Sequence, residues 1–177
     1  SVCYKRPRKN TVKVLMLMDS GGSMDYYSNL CSMLFQAARQ SNHFKELHVY
    51  YFHNCIYSNV YTDPRMYREH AVATDWILQN FGNDYKAILV GDALMDMYEL
   101  MEKRYDFRAG EVKWSGLDQI KRFREHYDHL IWLNPEEPPR WGGYWGESYG
   151  HIAKVVDMYP LTVDGLERGM KKLLVNR

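Results

Sequence analysis

The chain has 177 residues, of which 46% are hydrophobic and 25% are charged, and its formal net charge is +1. This length and composition predict one globular domain, and the near-neutral charge gives no reason to expect binding to nucleic acid or to an anionic membrane. No apolar run approaches the ~20 residues that a membrane-spanning helix needs, so we expect no membrane insertion.

The three cysteines do not suggest a disulfide framework. Cys3, Cys31 and Cys55 are odd in number and widely spaced, and no two of them form a C-x-x-C site. We therefore expect reduced, mostly buried thiols and a cytoplasmic protein. Residues 1–11 are basic and begin without an initiator Met, so we interpret them as a linker from a missing upstream region, followed by a single domain at 12–177.

Short apolar runs alternate with segments of helical periodicity along the chain. In chain order they first predict a strand at 12–18, a helix at about 25–41, and a strand at 48–52 with a hairpin partner at 56–61. A helix at about 65–81 that can break near Val72, a strand at 86–90, helices at about 94–104 and 116–127, and a strand at 129–133 follow. The chain then continues with a loop rich in Pro, Gly and aromatic residues at 134–149, a last strand within 155–161, and a final helix from Val163 to Leu174 capped by Thr162.

Alternation of strands and helices predicts a three-layer α/β/α sandwich with a mostly parallel central sheet, which is a Rossmann-like architecture. Ligands of such sheets bind outside the carboxyl ends of the strands. Three polar segments follow predicted strands, namely Asp19–Ser23, Gly91-Asp92 and Asn134–Tyr149, and a fourth, Ala73-Thr74-Asp75, opens or interrupts a helix. We expect these segments to converge on one rim of the sheet.

Oxygen-bearing side chains in these segments suggest a site for a hard cation. Mg²⁺ prefers oxygen ligands in octahedral geometry and keeps several waters. Asp19 and Ser23 can supply a carboxylate and a hydroxyl from the first loop, while Thr74 and Asp92 come from two further loops. An open coordination position would remain for a carboxylate of a partner.

The order of these motifs resembles von Willebrand factor A-type domains, and more narrowly their bacterial CoxE-like members. The first loop of that family reads D-x-S-x-S after strand one, and this chain has Asp19-Ser20-Gly21-Gly22-Ser23. The threonine loop of the family is matched by Ala73-Thr74-Asp75, and its third-loop aspartate by Asp92. The segments 131–135 and 156–174 are also similar to CoxE-like proteins, so the resemblance covers about residues 12–175.

This resemblance implies a non-enzymatic protein-interaction module. It implies a metal-ion-dependent adhesion site (MIDAS) with Mg²⁺, for which Mn²⁺ or Ca²⁺ could substitute, and with four ligands: Asp19, Ser23, Thr74 and Asp92. It also implies a MoxR-type AAA+ ATPase as a partner. One departure matters, because the middle serine of the family motif is Gly21 here and offers no side-chain oxygen. Either water fills this position, or the loop is a metal-free scaffold.

Other interpretations of the same residues remain open. Asp19, Ser23, Thr74 and Asp92 could each be a helix cap. Aromatic rings in the 134–149 loop could fold back over helix ends, or they could flank the rim and bind a partner. The residues of this second interpretation are Arg140, Trp141, Tyr144 and Trp145.

Enzymatic alternatives have weaker sequence support. Gly21-Gly22-Ser23-Met24-Asp25 resembles the G-x-S-x-G nucleophile elbow, but Asp25 stands where the final small residue is needed. The chain contains neither a Walker A motif nor G-x-G-x-x-G, so no phosphate-binding loop is predicted. A metal-free interaction domain that uses an aromatic rim is the first alternative, and a serine hydrolase that uses Ser23 is the second.

Overall fold

The computed structural model describes residues 12–42, 44–103, 113–136 and 146–174. Seven strands lie within these ranges: β1 (Val12–Asp19), β2 (Phe44–Phe52), β3 (Asn59–Tyr61), β4 (Ala71–Ala73), β5 (Lys86–Val90), β6 (Leu130–Asn134) and β7 (Asp157–Pro160). The α-helices in the same ranges are α1 (Ser28–Asn42), α2 (Thr74–Asn80), α3 (Met97–Met101), α4 (Gly116–His126), α5 (Gly146–Ala153) and α6 (Val163–Leu174), and short 3-10 helices cover Gly22–Tyr27 and Arg68–His70.

All seven strands form one sheet in the order β4-β3-β2-β1-β5-β6-β7. β3 runs antiparallel to both of its neighbours, and the remaining pairs are parallel. The prediction of a mostly parallel sheet with a hairpin partner after the second strand is therefore confirmed.

Helices cover both faces of this sheet because the central strands are apolar on both sides. Leu15 and Leu17 of β1 pack in one core together with Phe123 of α4. Val14 and Met16, which alternate with them, pack in a second core formed with α1 and α6. Two cores separated by one sheet make the three-layer α/β/α arrangement, as the alternating pattern predicts.

The predicted helix at 65–81 is wrong before the expected break near Val72, where β4 interrupts it. Residues 65–73 form a loop, a 3-10 helix and β4, and only Thr74–Asn80 is α-helical. The Asp63 carboxylate accepts the amide hydrogen of Arg65 at 2.7 Å, and Met66 has a positive φ of 57°. Local side-chain bonding and the pairing of β4 with β3 therefore override the helical periodicity.

Two further boundaries differ from the predictions. α5 begins at Gly146, inside the segment 134–149 that we expected to be a loop, while residues 137–145 of that segment lie outside the described residues. α3 is shorter than the predicted helix at 94–104, because Asp96 caps it by accepting the amide hydrogen of Tyr98 at 2.6 Å. The predicted cap of the last helix is confirmed, since the Gly165 amide donates to Thr162 Oγ1 at 3.0 Å.

Cys31 and Cys55 are buried, as expected, and Cys3 lies outside the described residues. In the part of the chain that the structure covers, every helix is too short or too polar to cross a bilayer.

Candidate functional site

The strand order creates a topological switch point between β1 and β5. From β1 the chain continues to β2 on one side, whereas β5 lies on the other side of β1 and leads outward to β6. In open α/β sheets such a point is where ligands bind, in the crevice outside the carboxyl ends of the strands. Asp19 is the last residue of β1, and Asp92 follows β5 by two residues. Because Met18 pairs with Val90, both aspartates lie at this crevice.

Asp19 is an almost fully buried carboxyl group at this crevice, with 3% of its surface exposed. Burial raises its pKa to about 8, and the charges of Asp92 and Glu99 raise the pKa in the same direction. The amide of Asn54 opposes this effect by donating to Asp19 Oδ1 at 3.2 Å. The ionised form of Asp19 is therefore poorly compensated, and a bound cation would relieve this deficit.

Gly91 makes room for the Asp19 side chain. A Cβ at Gly91 would lie 3.1 Å from Asp19 Cβ and 3.2 Å from Trp132 Cζ2. Trp132 also donates its indole hydrogen to the Gly91 carbonyl at 2.8 Å. A side chain at this position would therefore press on both neighbouring strands and require Asp19 or Trp132 to shift by a few tenths of an ångström.

The loop that carries Asp92 is held by buried side chains of later elements. Asn134 Nδ2 donates to the Asp92 carbonyl at 2.9 Å, and Ser148 Oγ donates to the Ala93 carbonyl at 2.8 Å. Ala93 has a φ of 61°, a conformation that a non-glycine residue rarely adopts. The Asp92 carboxylate itself accepts the Leu94 amide at 3.0 Å. This loop is therefore fixed in a strained shape at the crevice.

The first loop owes its glycines to its backbone conformation. Gly21 has φ 85° and ψ 167°, a combination that is essentially restricted to glycine, and Gly22 has φ 56°. The observed loop therefore excludes a serine at position 21, which accounts for the departure from D-x-S-x-S in physical terms. The side chain of Ser23 lies outside the described part of the structure.

Thr74 is at the same rim but not beside the two aspartates. It is the first residue of α2, and β4, which precedes it, is three strands from β1, or roughly 14 Å at ~4.8 Å per strand. Its hydroxyl is fully buried and donates to the Tyr57 carbonyl at 2.6 Å. A ligand role for Thr74 would require its hydroxyl to turn away from this carbonyl.

The helix-cap interpretations of two candidate ligands are wrong. The N-cap residue of α2 is Ala73 rather than Thr74, and that of α3 is Asp96 rather than Asp92. The proposed partner surface of Arg140, Trp141, Tyr144 and Trp145 lies outside the described residues.

The structure adds three residues that the motifs do not contain. His53 and Asn54 directly follow β2, and Glu99 belongs to α3. Glu99 accepts hydrogen bonds from the Tyr57 hydroxyl at 2.8 Å and from Asn54 Nδ2 at 3.3 Å. For His53 and Asn54 the available sequence signal was their position, since both are polar, directly follow a predicted strand and therefore belong to the same rim.

The donor set at the crevice fits Mg²⁺ better than a metal that needs a complete protein cage. In the ranges that the structure describes, no three His, Cys, Asp or Glu side chains are grouped to hold a metal ion. Mg²⁺ is usually bound through one or two carboxylates and keeps several waters, which the pair of Asp19 and Asp92 can satisfy. A structural zinc site would require four protein ligands.

Fold and rim together define an α/β protein with a Rossmann-like sheet and a carboxylate pair at its switch point. Comparison of the chain with protein-family models, with curated proteins and with solved structures finds no match.

Proposed function

We propose that this chain is a non-enzymatic protein-interaction module of von Willebrand factor A type that binds Mg²⁺ at the rim. The observation that carries this proposal is the buried carboxyl of Asp19 at the switch point, close enough to Asp92 and Glu99 for their charges to raise its pKa. Proteins rarely bury such a group unless a partner or ligand compensates its charge. A divalent cation between Asp19 and Asp92 would provide that compensation.

In this proposal Asp19 and Asp92 are the protein ligands from β1 and β5. The Ser23 hydroxyl is a third candidate, and water takes the place of the side chain that Gly21 lacks. Thr74, which lies three strands from Asp19 and donates to the Tyr57 carbonyl, is not a ligand in this proposal. The cation would supply positive charge at the rim, and a carboxylate of a partner protein would complete its coordination. A MoxR-type AAA+ ATPase in the cytoplasm is the partner that we propose from the resemblance of the motifs.

Calorimetric titration of Mg²⁺ into the purified protein tests this function. We expect saturable binding by the wild type and none by Asp19→Asn, which keeps the shape of the side chain but cannot ionise. Asp164→Asn is the matched control, because that carboxylate is 78% exposed on α6 and is paired with Arg168. Equal heats for wild type and Asp19→Asn would reject the metal site.

A metal-free interaction module is the second candidate. It is favoured by the finding that, within the described ranges, no three His, Cys, Asp or Glu side chains lie together in a group that could hold a metal ion. In this case Asp19 stays protonated at neutral pH, as its pKa of about 8 allows. Infrared spectroscopy of metal-free and Mg²⁺-treated protein distinguishes the two candidate functions. The protonated carboxyl band of Asp19 is identified by its absence from Asp19→Asn. Only the Mg²⁺-binding candidate predicts that Mg²⁺ removes this band from the wild type.

A further inference from the structure

We propose that His53 is a positioning residue that holds the first loop in the shape needed for cation binding, an inference that rests on the proposed function. His53 directly follows β2 and contacts the loop from the neighbouring strand end. Its Nδ1 lies 2.9 Å from the Ser20 carbonyl oxygen. No motif contains this residue, and its shortest polar contact is with the backbone next to Asp19.

The contact determines which ring nitrogen carries the hydrogen. A carbonyl oxygen can only accept, so Nδ1 must donate, and the neutral ring is then the Nδ1–H tautomer. The side chain is 49% exposed, so the ring is reachable from solvent while its Nδ1 edge faces the loop. The same nitrogen is 3.9 Å from Asp19 Oδ1, which places the ring against both the strand end and the loop.

Ser20 is the residue through which this contact reaches Asp19. Its amide donates to the Phe52 carbonyl at 2.8 Å, its hydroxyl donates to the Pro64 carbonyl at 2.8 Å, and its carbonyl accepts from His53. The first two hydrogen bonds fix the backbone nitrogen and the side chain of Ser20. The bond from His53 fixes the peptide that leads into the glycines, where the chain turns out of the sheet.

The two glycines need such external support. Each can adopt many backbone conformations, and neither has a side chain that could hold the turn. The His53 ring packs on both of them, since a Cβ at Gly21 would lie 3.4 Å from Nδ1 and a Cβ at Gly22 would lie 3.6 Å from Cε1. The histidine ring thus lies within van der Waals distance of both glycine positions.

Three substitutions separate the hydrogen bond from the bulk of the ring. The amide nitrogen of asparagine can occupy the place of Nδ1, whereas that of glutamine matches Nε2. We expect His53→Asn to keep the Mg²⁺ dissociation constant within about threefold, and His53→Gln and His53→Ala to raise it by roughly 10-fold or more, the range found when outer-shell partners of metal ligands are removed. His48→Asn, within β2, is the control and should bind like wild type.

Two measurements on metal-free protein complete the test. Thermal unfolding should give similar midpoints for all three His53 variants, because the side chain is half exposed, so a selective loss of affinity is not a folding defect. ¹⁵N chemical shifts of the wild-type ring at neutral pH should show the Nδ1–H tautomer. The Nε2–H tautomer would overturn the proposal whether or not metal binds.

The outcomes also separate this inference from the proposed function. If the wild type binds Mg²⁺ and the three His53 variants bind with equal affinity, the positioning role is overturned and the metal site stands. If the wild type binds no Mg²⁺, the proposed function fails, and the inference fails with it.

Discussion

At the scale of single residues, Asp19 combines burial with an ionisable group. Its folded-state pKa of about 8 lies above the ordinary value of 3.8. Between these two values the folded protein holds a proton that the unfolded chain has released. Raising the pH through this window therefore removes stability from the metal-free protein, whereas a salt-bridged aspartate would show the opposite dependence.

We predict that the unfolding free energy of the metal-free wild type, measured relative to that of Asp19→Asn, falls as pH rises from about 4 to about 8. Asp19→Asn should remove this contribution and be more stable than wild type at pH 8, because its amide carries no charge. Urea denaturation at several pH values measures both effects. Stability profiles that run parallel for the two proteins would contradict the prediction.

The residues of the candidate site differ in how far the sequence could predict them. Asp19 and Asp92 were predictable, because each follows a strongly apolar strand and such strand ends meet at one rim. His53, Asn54 and Glu99 were not identified, because their roles arise from contacts between elements that are distant in sequence. Asn54, for example, reaches Asp19 only because β2 pairs with β1 in one particular register.

At the scale of elements, strands with a strong local pattern were predictable, whereas elements that depend on long-range pairing were not. β1, β5 and β6 were predicted within one or two residues, because strands buried on both faces are continuous apolar runs. The segment 65–73 was not, because β4 forms by pairing with β3 and has no strong pattern of its own. Helix periodicity also gave no indication of α5, whose first residue follows a stretch rich in Gly and Trp.

Close packing between α6 and β7 supports a prediction about two helical glycines. A Cβ at Gly165 would lie 1.8 Å from the Pro160 carbonyl oxygen, whereas a Cβ at Gly150 of α5 would have nothing within 4 Å. We expect Gly165→Ala to cost about 3 kcal/mol or more, since backbone must move. Gly150→Ala should instead stabilise by roughly 0.5–1 kcal/mol, the difference in helix propensity.

Chemical denaturation of the two variants beside the wild type checks this pair. Both changes add one methyl group to a helix, so the comparison isolates packing from propensity. Similar effects of the two substitutions would mean that α6 does not approach the strand end as closely as the structure shows.

At the scale of the whole molecule, the candidate site joins both halves of the sheet. Asp19 belongs to the half that contains β1 and β2, and Asp92 follows β5 in the other half. The loop of Asp92 is in turn held by Asn134 and Ser148, from β6 and α5. A ligand held by both aspartates would thus bind the native arrangement and not the unfolded chain, so its binding energy would add to global stability.

We predict that Mg²⁺ at 100 times its dissociation constant stabilises the protein by ~2.7 kcal/mol, which corresponds to a rise in Tm of about 5–10 °C. At one fixed Mg²⁺ concentration the rise should be larger at pH 8 than at pH 6, because protons compete for Asp19 and weaken binding at the lower pH. Differential scanning calorimetry at constant ionic strength measures the shift. Asp19→Asn should show none, and an equal shift in this variant would point to binding elsewhere.

The two edge strands of the sheet, β4 and β7, affect how this protein can associate with other proteins. β4 has three residues, and β7 has four and ends in Pro160, which has no amide hydrogen to donate. Edge strands that are short or end in proline are poor templates for pairing with a strand from another chain. Growth of the sheet into fibrils or strand-exchanged assemblies is therefore disfavoured. Association with a partner would then have to use surfaces that are chosen by side-chain chemistry, such as the rim, in place of backbone pairing.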